Sequence, residues 1–530
     1  IHLSSIKKEW TMKKLIFNIA IISIILTGYL TAQNEQWSFD KDKVPAKPVT
    51  EFQFLAYFTT QAVANNIYTT NDFLKGQTVG RLFGNNTTYS GQNSFYFEQR
   101  ILPFIIYQPK LLDGKALLRM SFEIDWTWGD VSYGTGGNFG SAFSADQVNI
   151  QTQNIELEFI PFKNFTVNLG LQRLYDTPYN PYRTFVNTMM YTGYRLAYWG
   201  SDAVGISARY DWDYDRIKGG YYQLYENNVS QNDDVTLWEL MYEKDITPSW
   251  RQGISLNYVY DRSNGEGGVN ILGQGLNSAL NAYNGVYRFP LGSSTYKADI
   301  FWLGTFGSYN PEFTLGRWAI SGFANANFGV VDTAITGGYT KACDIFGVAG
   351  NLRAGYKYGQ TVDDNVSVDL LFATGDDNGL KDGTYSGVLT GNQWGSPGAI
   401  FVSNGAYLLY PHGNVVNRFV AAISDLSNIG LGQFGGTINF NKAIIPNKLK
   451  AKIGAAYAVS LVKPAGGKQD IGTEINAMIS YQPAVFMNIE LHAAYLMLGD
   501  FYKSSVVNGG ASTKPSDPYT VFCVYKWLLF

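Results

Sequence analysis

Between positions 115 and 129 apolar and polar residues change places at nearly every step. Ala116, Leu118, Met120, Phe122, Ile124, Trp126 and Trp128 share one face, and Leu117, Arg119, Ser121, Glu123, Asp125 and Thr127 share the other. A period of two over this span predicts a strand of ~13–15 residues, against ~5–6 in ordinary globular sheets. Ile254, Leu256, Tyr258 and Tyr260 alternate in the same way with Arg251, Gly253, Ser255 and Asn257. Further alternating stretches lie at 165–172, 365–372, 449–459, 473–481 and 485–495. A tilted strand crosses a bilayer in ~9–11 residues, which these segments match.

The connections alternate too. Short turns fall at 112–114, 161–164, 214–215, 247–249, 362–364, 446–447 and 482–483. Longer polar loops fall at 60–92, 131–148, 177–202, 262–293, 376–428, 463–470 and 500–518. Short turns at one end and long loops at the other predict an all-β fold. It is a transmembrane antiparallel up-and-down β-barrel of about 18 strands, with periplasmic turns and extracellular loops. The ambiguous stretches are 330–343 and 417–425; the second is expected in a loop, as a lid helix.

Composition agrees with lipid on one face and water on the other. The chain is 45% hydrophobic, 15% aromatic and only 16% charged, with 56 glycines, whereas soluble domains average ~25% charged. Mean hydropathy is −0.11, too low for a helical bundle, and no later run supplies ~18 consecutive apolar residues. Lys13 and Lys14, the apolar run from Leu15 to Leu30 and Thr31-Ala32 read as a cleaved secretory signal, with Met12 as the natural initiator. The expected organisation is an upstream extension plus signal over 1–32, a periplasmic segment over 33–49 and the barrel over 50–530. Tyr519 to Phe530 reads as a last strand carrying Phe522, Val524 and Leu528 on its apolar face, interrupted by Lys526. The terminal Phe530 resembles the signal read by the barrel-assembly machinery of bacterial outer membranes. Trp126, Trp128, Trp250 and Trp527 fall near strand ends, as girdle residues do. Export and an acidic mature chain argue against nucleic-acid binding.

Alternation places Glu98, Arg100, Arg119, Glu123, Asp125, Glu156, Glu158, Arg209, Asp211, Glu239 and Glu243 inside. Arg251, Lys297, Asp299, Arg317, Arg353, Lys357, Asp369, Lys450, Lys452, Glu474 and Glu490 follow. Unpaired burial of so many charges costs several kcal/mol each, so they need water or partners. Arg251, Lys297, Arg317, Arg353 and Lys357 are expected to form a cationic wall, and Glu123, Asp125, Glu156 and Glu158 an acidic one. Opposed walls would orient dipolar solutes and draw anions; pairing across strands without selectivity is the plainer alternative. Asp376, Asn378 and Asp382 have calcium-loop spacing, but Gly387 stands where the bidentate Glu belongs, which leaves a weak extracellular Ca²⁺ site as a candidate. No other cofactor is implied. His492 shares a face with Glu490 near Ser480, without a Gly-x-Ser-x-Gly elbow, so the chain reads as a channel and not an enzyme. Cys343 and Cys523 fall on strands far apart, which argues against a disulfide.

A strand ending in Gly375-Asp376-Asp377, an Asp382-Gly383 loop and Leu408-Leu409-Tyr410-Pro411 together resemble the alginate-export family of outer-membrane barrels. Val167-Asn168-Leu169-Gly170-Leu171-Gln172-Arg173-Leu174, with Tyr194-Arg195, is similar to a strand and loop of that family, with its Arg-Gln pair reversed. The resemblance implies an 18-stranded monomer passing an anionic polysaccharide through a loop-gated pore. Two functions stay open: a porin or exporter for small polar solutes or an anionic polymer, and a structural, adhesion or partner-sheathing barrel with a plugged lumen.

Overall fold

The computed structural model describes residues 50–69, 87–128, 149–173, 202–226, 231–263, 289–291, 295–311, 313–389, 405–410, 427–507 and 514–529. The expected signal, the periplasmic segment, stretch 417–425 and Phe530 lie outside them. The strands are β1 (Phe52–Thr69), β2 (Thr87–Tyr107), β3 (Ala116–Trp128), β4 (Asn149–Phe162), β5 (Phe165–Arg173), β6 (Asp202–Asp211) and β7 (Asp215–Tyr225). Next come β8 (Val235–Thr247), β9 (Trp250–Asp261), β10 (Tyr296–Tyr309), β11 (Trp318–Ile335), β12 (Gly338–Lys357) and β13 (Asn365–Ala373). The last are β14 (Thr384–Tyr385), β15 (Gln433–Ile445), β16 (Leu449–Ser460), β17 (Asp470–Ala484), β18 (Met487–Leu498) and β19 (Tyr519–Leu529).

Each long strand pairs antiparallel with its sequence neighbours, β13 pairs with β15, and β19 returns to β1 from Ala56↔Leu529 to Asn65↔Thr520. The result is a closed antiparallel barrel of 18 long strands with no open edge. The two-residue β14 stands apart from that count. Strand β13 reaches only as far as Ala349 of β12, and β14 takes the vacant edge beyond it by pairing parallel with Asp344 and Ile345.

The tight turns at one end are made by residues that tolerate left-handed backbone. Asn164 has φ 70° and Asn447 φ 59°. Longer connections occupy the other end, except at β11–β12, where the ambiguous stretch 330–343 forms a continuous hairpin around positions 336–337. Both ends of the predicted loop 60–92 are strand, since β1 continues to Thr69 and β2 begins at Thr87, and residues 70–86 lie outside the described residues. Its polar residues Gln61 and Asn65 are buried and lumen-facing, so polarity there marks the lumen and not a loop.

The outside of the sheet is a continuous apolar belt. Ile155, Leu157, Ile206, Leu240, Leu256, Leu303, Leu352, Leu370, Ile438, Ile453, Ile479 and Leu491 are all exposed on it. Water does not tolerate an apolar surface of this extent; lipid covers it. Trp318 and Trp527 stand exposed near the turn end, in the place of an aromatic girdle.

Candidate functional site: the lumen

The lumen is partitioned along its axis. On several strands the charged inward residues lie toward the short turns and the apolar inward residues toward the long loops, whereas β2 places Leu102 and Phe104 nearer the turn than Glu98, and β9 carries buried Asp261 at its loop end. On β8, Val235 and Leu237 precede Glu239, Glu243 and Asp245. On β12, buried Cys343 and Ile345 lie toward the loops, with Arg353 and Lys357 toward the turn. On β16 and β18 the order is Lys450 and Lys452, then Ala456 and Ala458; Glu490 and His492, then Leu496 and Leu498.

At the turn end the charges meet in pairs. Arg119 bridges Glu156 at 2.5 Å and Glu158 at 2.8 Å, with all three side chains at most 5% exposed. Asp211 binds Arg216 at 2.6 Å and Arg209 at 3.1 Å. Lys218 and Tyr222 both meet Glu239. Arg251 reaches Asp245 at 3.0 Å and Glu243 at 3.5 Å, Arg353 binds Asp369 at 2.5 Å, and Lys526 binds Glu490 at 2.7 Å. Gln61 donates to Glu98 at 2.6 Å.

This geometry changes the two expected walls. Arg251, Arg353 and Lys357 do face the lumen, and Lys357 donates to the Phe313 carbonyl at 3.0 Å. Lys297 and Asp299 do not. On β10 the inward positions belong to Tyr296, Ala298, Ile300, Trp302 and Phe306, all buried. Lys297 instead lies over the Tyr339 ring at 4.0 Å, and Asp299 binds Arg262 and Tyr258 on the outer rim. Arg317 precedes β11 in an exposed turn, near the Tyr358 carbonyl. Of the acidic wall, Glu156 and Glu158 are neutralised by Arg119; the side chains of Glu123 and Asp125, like those of Trp126 and Trp128, lie outside the described residues. The final strand is corrected in the same sense: Phe522 and Val524 are buried inward with Lys526, while Val521, Cys523 and Trp527 face out. Alternation was right about the period, but it assigned the apolar face to lipid where the lumen is itself apolar.

The lumen is apolar there because the β13–β15 connection folds into it. Leu389 donates its N–H to Asn327 Oδ1 at 3.2 Å and accepts from Trp302 Nε1 at 3.0 Å. Residues 405–410 lie against β15–β19, with Ala406, Leu408, Leu409 and Tyr410 fully buried among Ala458, Ile471, Leu496 and Phe522. Gly435 leaves the space that the Tyr410 hydroxyl fills. Phe501 and Tyr502, from the β18–β19 connection, complete the packing.

Polar wall groups meet this inner segment directly. Glu474 accepts the N–H groups of Tyr407, Leu408 and Leu409 at 2.8, 2.9 and 2.7 Å, and Asn476 donates to it at 2.9 Å. Lys452 donates to the Gly405 carbonyl at 2.6 Å. His492 meets the Tyr407 hydroxyl at 2.8 Å and Glu490 at 2.9 Å, and stacks on Phe522. Ser480 donates to Asn488 instead, so His492 and Ser480 form no nucleophile–base pair. The width of an 18-strand barrel points to a long loop as the constriction, and the loop after Phe372, the longest in the chain, is the expected one. Segment 405–410 belongs to it, and the apolar run from Ala406 to Tyr410 is the trace it leaves in the sequence.

The candidate calcium loop brings Asp376, Asn378 and Asp382 together but uses their oxygens internally. Asp376 accepts from the Asn378 and Gly379 N–H groups and from both the N–H and hydroxyl of Ser386. Asp382 accepts from Asn378 and from the Thr384 N–H, which hold its carboxyl below the usual range. Among the described residues no group of three or more His, Cys, Asp or Glu side chains is placed to hold a metal. Cys343 and Cys523 are free thiols.

Of the patches that resemble the alginate-export family, Gln172 faces inward and accepts from Ser207 at 2.7 Å; Leu408 to Tyr410 belong to the inner segment; Tyr194-Arg195 and Pro411 lie outside the described residues. No family model and no curated protein matches the sequence, so that resemblance stays at the level of these patches. Solved structures similar in fold include Pseudomonas aeruginosa OccK11 (OpdR), at 10% identity and TM-score 0.43 over 94% of this chain and 100% of that one. Acinetobacter baumannii OccAB4 gives 10% identity and TM-score 0.44 over 90% and 98%. A variant of OccD1 (OprD) gives 11% and 0.47 over 93% and 99%. At such identities no residue corresponds to another, and the 18-strand barrel rests on this chain's own strand register.

Proposed function

We propose that this protein is an outer-membrane channel for small polar solutes. One observation carries the reading: a closed 18-strand sheet is apolar outside while charged residues of many strands, among them Arg119, Glu239, Arg353, Glu490 and Lys526, point into the lumen. A barrel of this size is wide enough for an aqueous path, and such interiors are polar where solutes pass. Paired charges at the turn end suit small polar or zwitterionic solutes better than a strongly charged one. The packed segment 405–410 favours small molecules over a polymer chain. Export by a signal ending at Ala32 belongs to the same proposal, and the amino terminus of the membrane-inserted protein is then Gln33. Liposome swelling with solutes of graded size tests the function: small sugars and amino acids enter, and a polysaccharide does not. Vesicles as tight as protein-free controls would overturn it.

A sealed, structural barrel is the second reading. It is favoured by the burial of Glu98, Glu158, Arg216 and Glu243, which leaves little water around those charges. That reading predicts no solute entry at any size.

A further inference from the structure

The contacts of Glu474 single it out among the lumen carboxylates. Most other lumen acids meet basic side chains, Glu98 meets Gln61 and Asp261 meets Ser263, whereas Glu474 accepts three consecutive backbone N–H groups from an element that is not part of the wall. Successive N–H groups converging on one anion form a nest, and bonds to a charged acceptor are about twice as strong as neutral ones. The carboxylate is fully buried, so it is satisfied only while residues 407–409 stay in place. The same segment is gripped on its other side by Lys452 at the Gly405 carbonyl. Gly405 has φ 96°, a backbone that side-chain-bearing residues rarely adopt, and it sits against Asn439. Between Lys452 and the level of Glu474, Gly454 carries no side chain, and Asn439 and Asn476 fill the gap from either side.

We infer that Glu474 is the positioning residue of the pore: its carboxylate latches segment 405–410 against β15–β19 and thereby sets the free cross-section that solutes use. This rests on the channel reading above. The passage then runs between the latched segment and the ion-paired wall of β3–β9. The segment's apolar residues supply the adhesion, and Glu474 supplies the register. No strand ladder or disulfide among the described residues holds these positions, so the carboxylate is the point at which the arrangement can be undone.

Two readouts test this in folded, vesicle-inserted protein, with folding checked by heat-modifiable gel migration. The background is Cys343→Ala, Cys523→Ala and Ala406→Cys, which places a thiol in the segment. With Glu474 intact, a membrane-impermeant maleimide leaves the thiol essentially unlabelled, because Ala406 is fully buried. Glu474→Gln turns an NH₂ toward the three N–H groups, and labelling accelerates about ten-fold or more as the segment opens. Glu474→Asp keeps the charge but falls short by one methylene and gives an intermediate rate. Without the introduced thiol, Glu474→Gln also raises single-channel conductance. Labelling that stays slow in correctly folded Glu474→Gln overturns the latch even if conductance changes. Fast labelling with unchanged, non-zero conductance overturns the segment's role in setting the pore. No conductance in either protein, with fast labelling only in the variant, overturns the channel reading and leaves the latch standing. Should Glu474→Gln fail to fold, Lys452→Met, which removes only the Gly405 contact, provides the same comparison with a smaller rise.

Discussion

Arg119 offers the sharpest energetic test of how dry the lumen is. Its guanidinium is 4% exposed and holds two carboxylates, Glu156 and Glu158, that are 5% and 1% exposed. Another cation of that wall, Lys218, is already engaged with Glu239. Replacing Arg119 with Met removes the bridge and leaves both carboxylates buried. Breaking a buried ion pair from one side costs about 3–5 kcal/mol. The upper end of that range applies here, because two acids lose one base. Urea titration of the vesicle-inserted barrel, followed by tryptophan fluorescence and gel migration, reads the loss directly. The triple variant Arg119→Met, Glu156→Gln, Glu158→Gln removes all charge from the site and recovers most of the loss, since buried ion pairs replaced by neutral groups are often close to neutral in stability. If Arg119→Met alone shifts stability by under ~1 kcal/mol, as exposed pairs do, then water reaches this level of the lumen and the picture of a dry, paired wall is wrong.

Reversing Arg251 to Glu places a third acid beside Glu243 and Asp245 at the lumen mouth, and the reversal potential in a salt gradient shifts toward cations. Lys297→Glu, on the outer rim over Tyr339, leaves it unchanged; equal shifts in the two variants would refute the facing assigned to β10. Asp364, in the β12–β13 turn, accepts from Lys442, Thr361 and the Ala443 N–H, and Lys442 above all holds its carboxyl far below the usual range. A depressed folded pKa stabilises above the unfolded value of ~3.9 and is lost as pH falls toward the folded value. Hydrogen exchange at the Ala443 amide is therefore faster in Asp364→Asn than in the parent at pH 7, and the difference narrows below about pH 4; a gap that does not change with pH would contradict the assignment.

The sequence disclosed the barrel because a two-sided sheet must alternate, and runs such as Ile254 to Tyr260 do so cleanly. It disclosed most of the lumen charges for the same reason: Arg119, Glu239, Arg353 and Glu490 all lie on inward positions. It failed where both faces are apolar. Tyr296, Ile300 and Trp302 looked like lipid contacts because nothing in β10 announces that Tyr385 and Leu389 will pack against its inner side. Lys297 and Asp299 then seemed to be lumen charges, although they sit above the apolar belt where water reaches the outer rim. On β8, β12, β16 and β18 the axial partition lies in the distance of each charge from its nearest short turn. Reading charge across strands instead of along them concealed it. The grip of Glu474 on 407–409 was beyond reach, since three N–H groups from a segment 65 to 67 residues away in sequence leave no local pattern.

Single-channel recording from the purified, folded barrel in a planar bilayer separates an open channel from a sealed barrel. An open channel gives discrete, stable conductance steps that are weakly ion-selective and blocked by small polar solutes but not entered by long polymers. A correctly folded barrel that inserts and passes no ions, both as it stands and with Glu474→Gln, would contradict the channel reading.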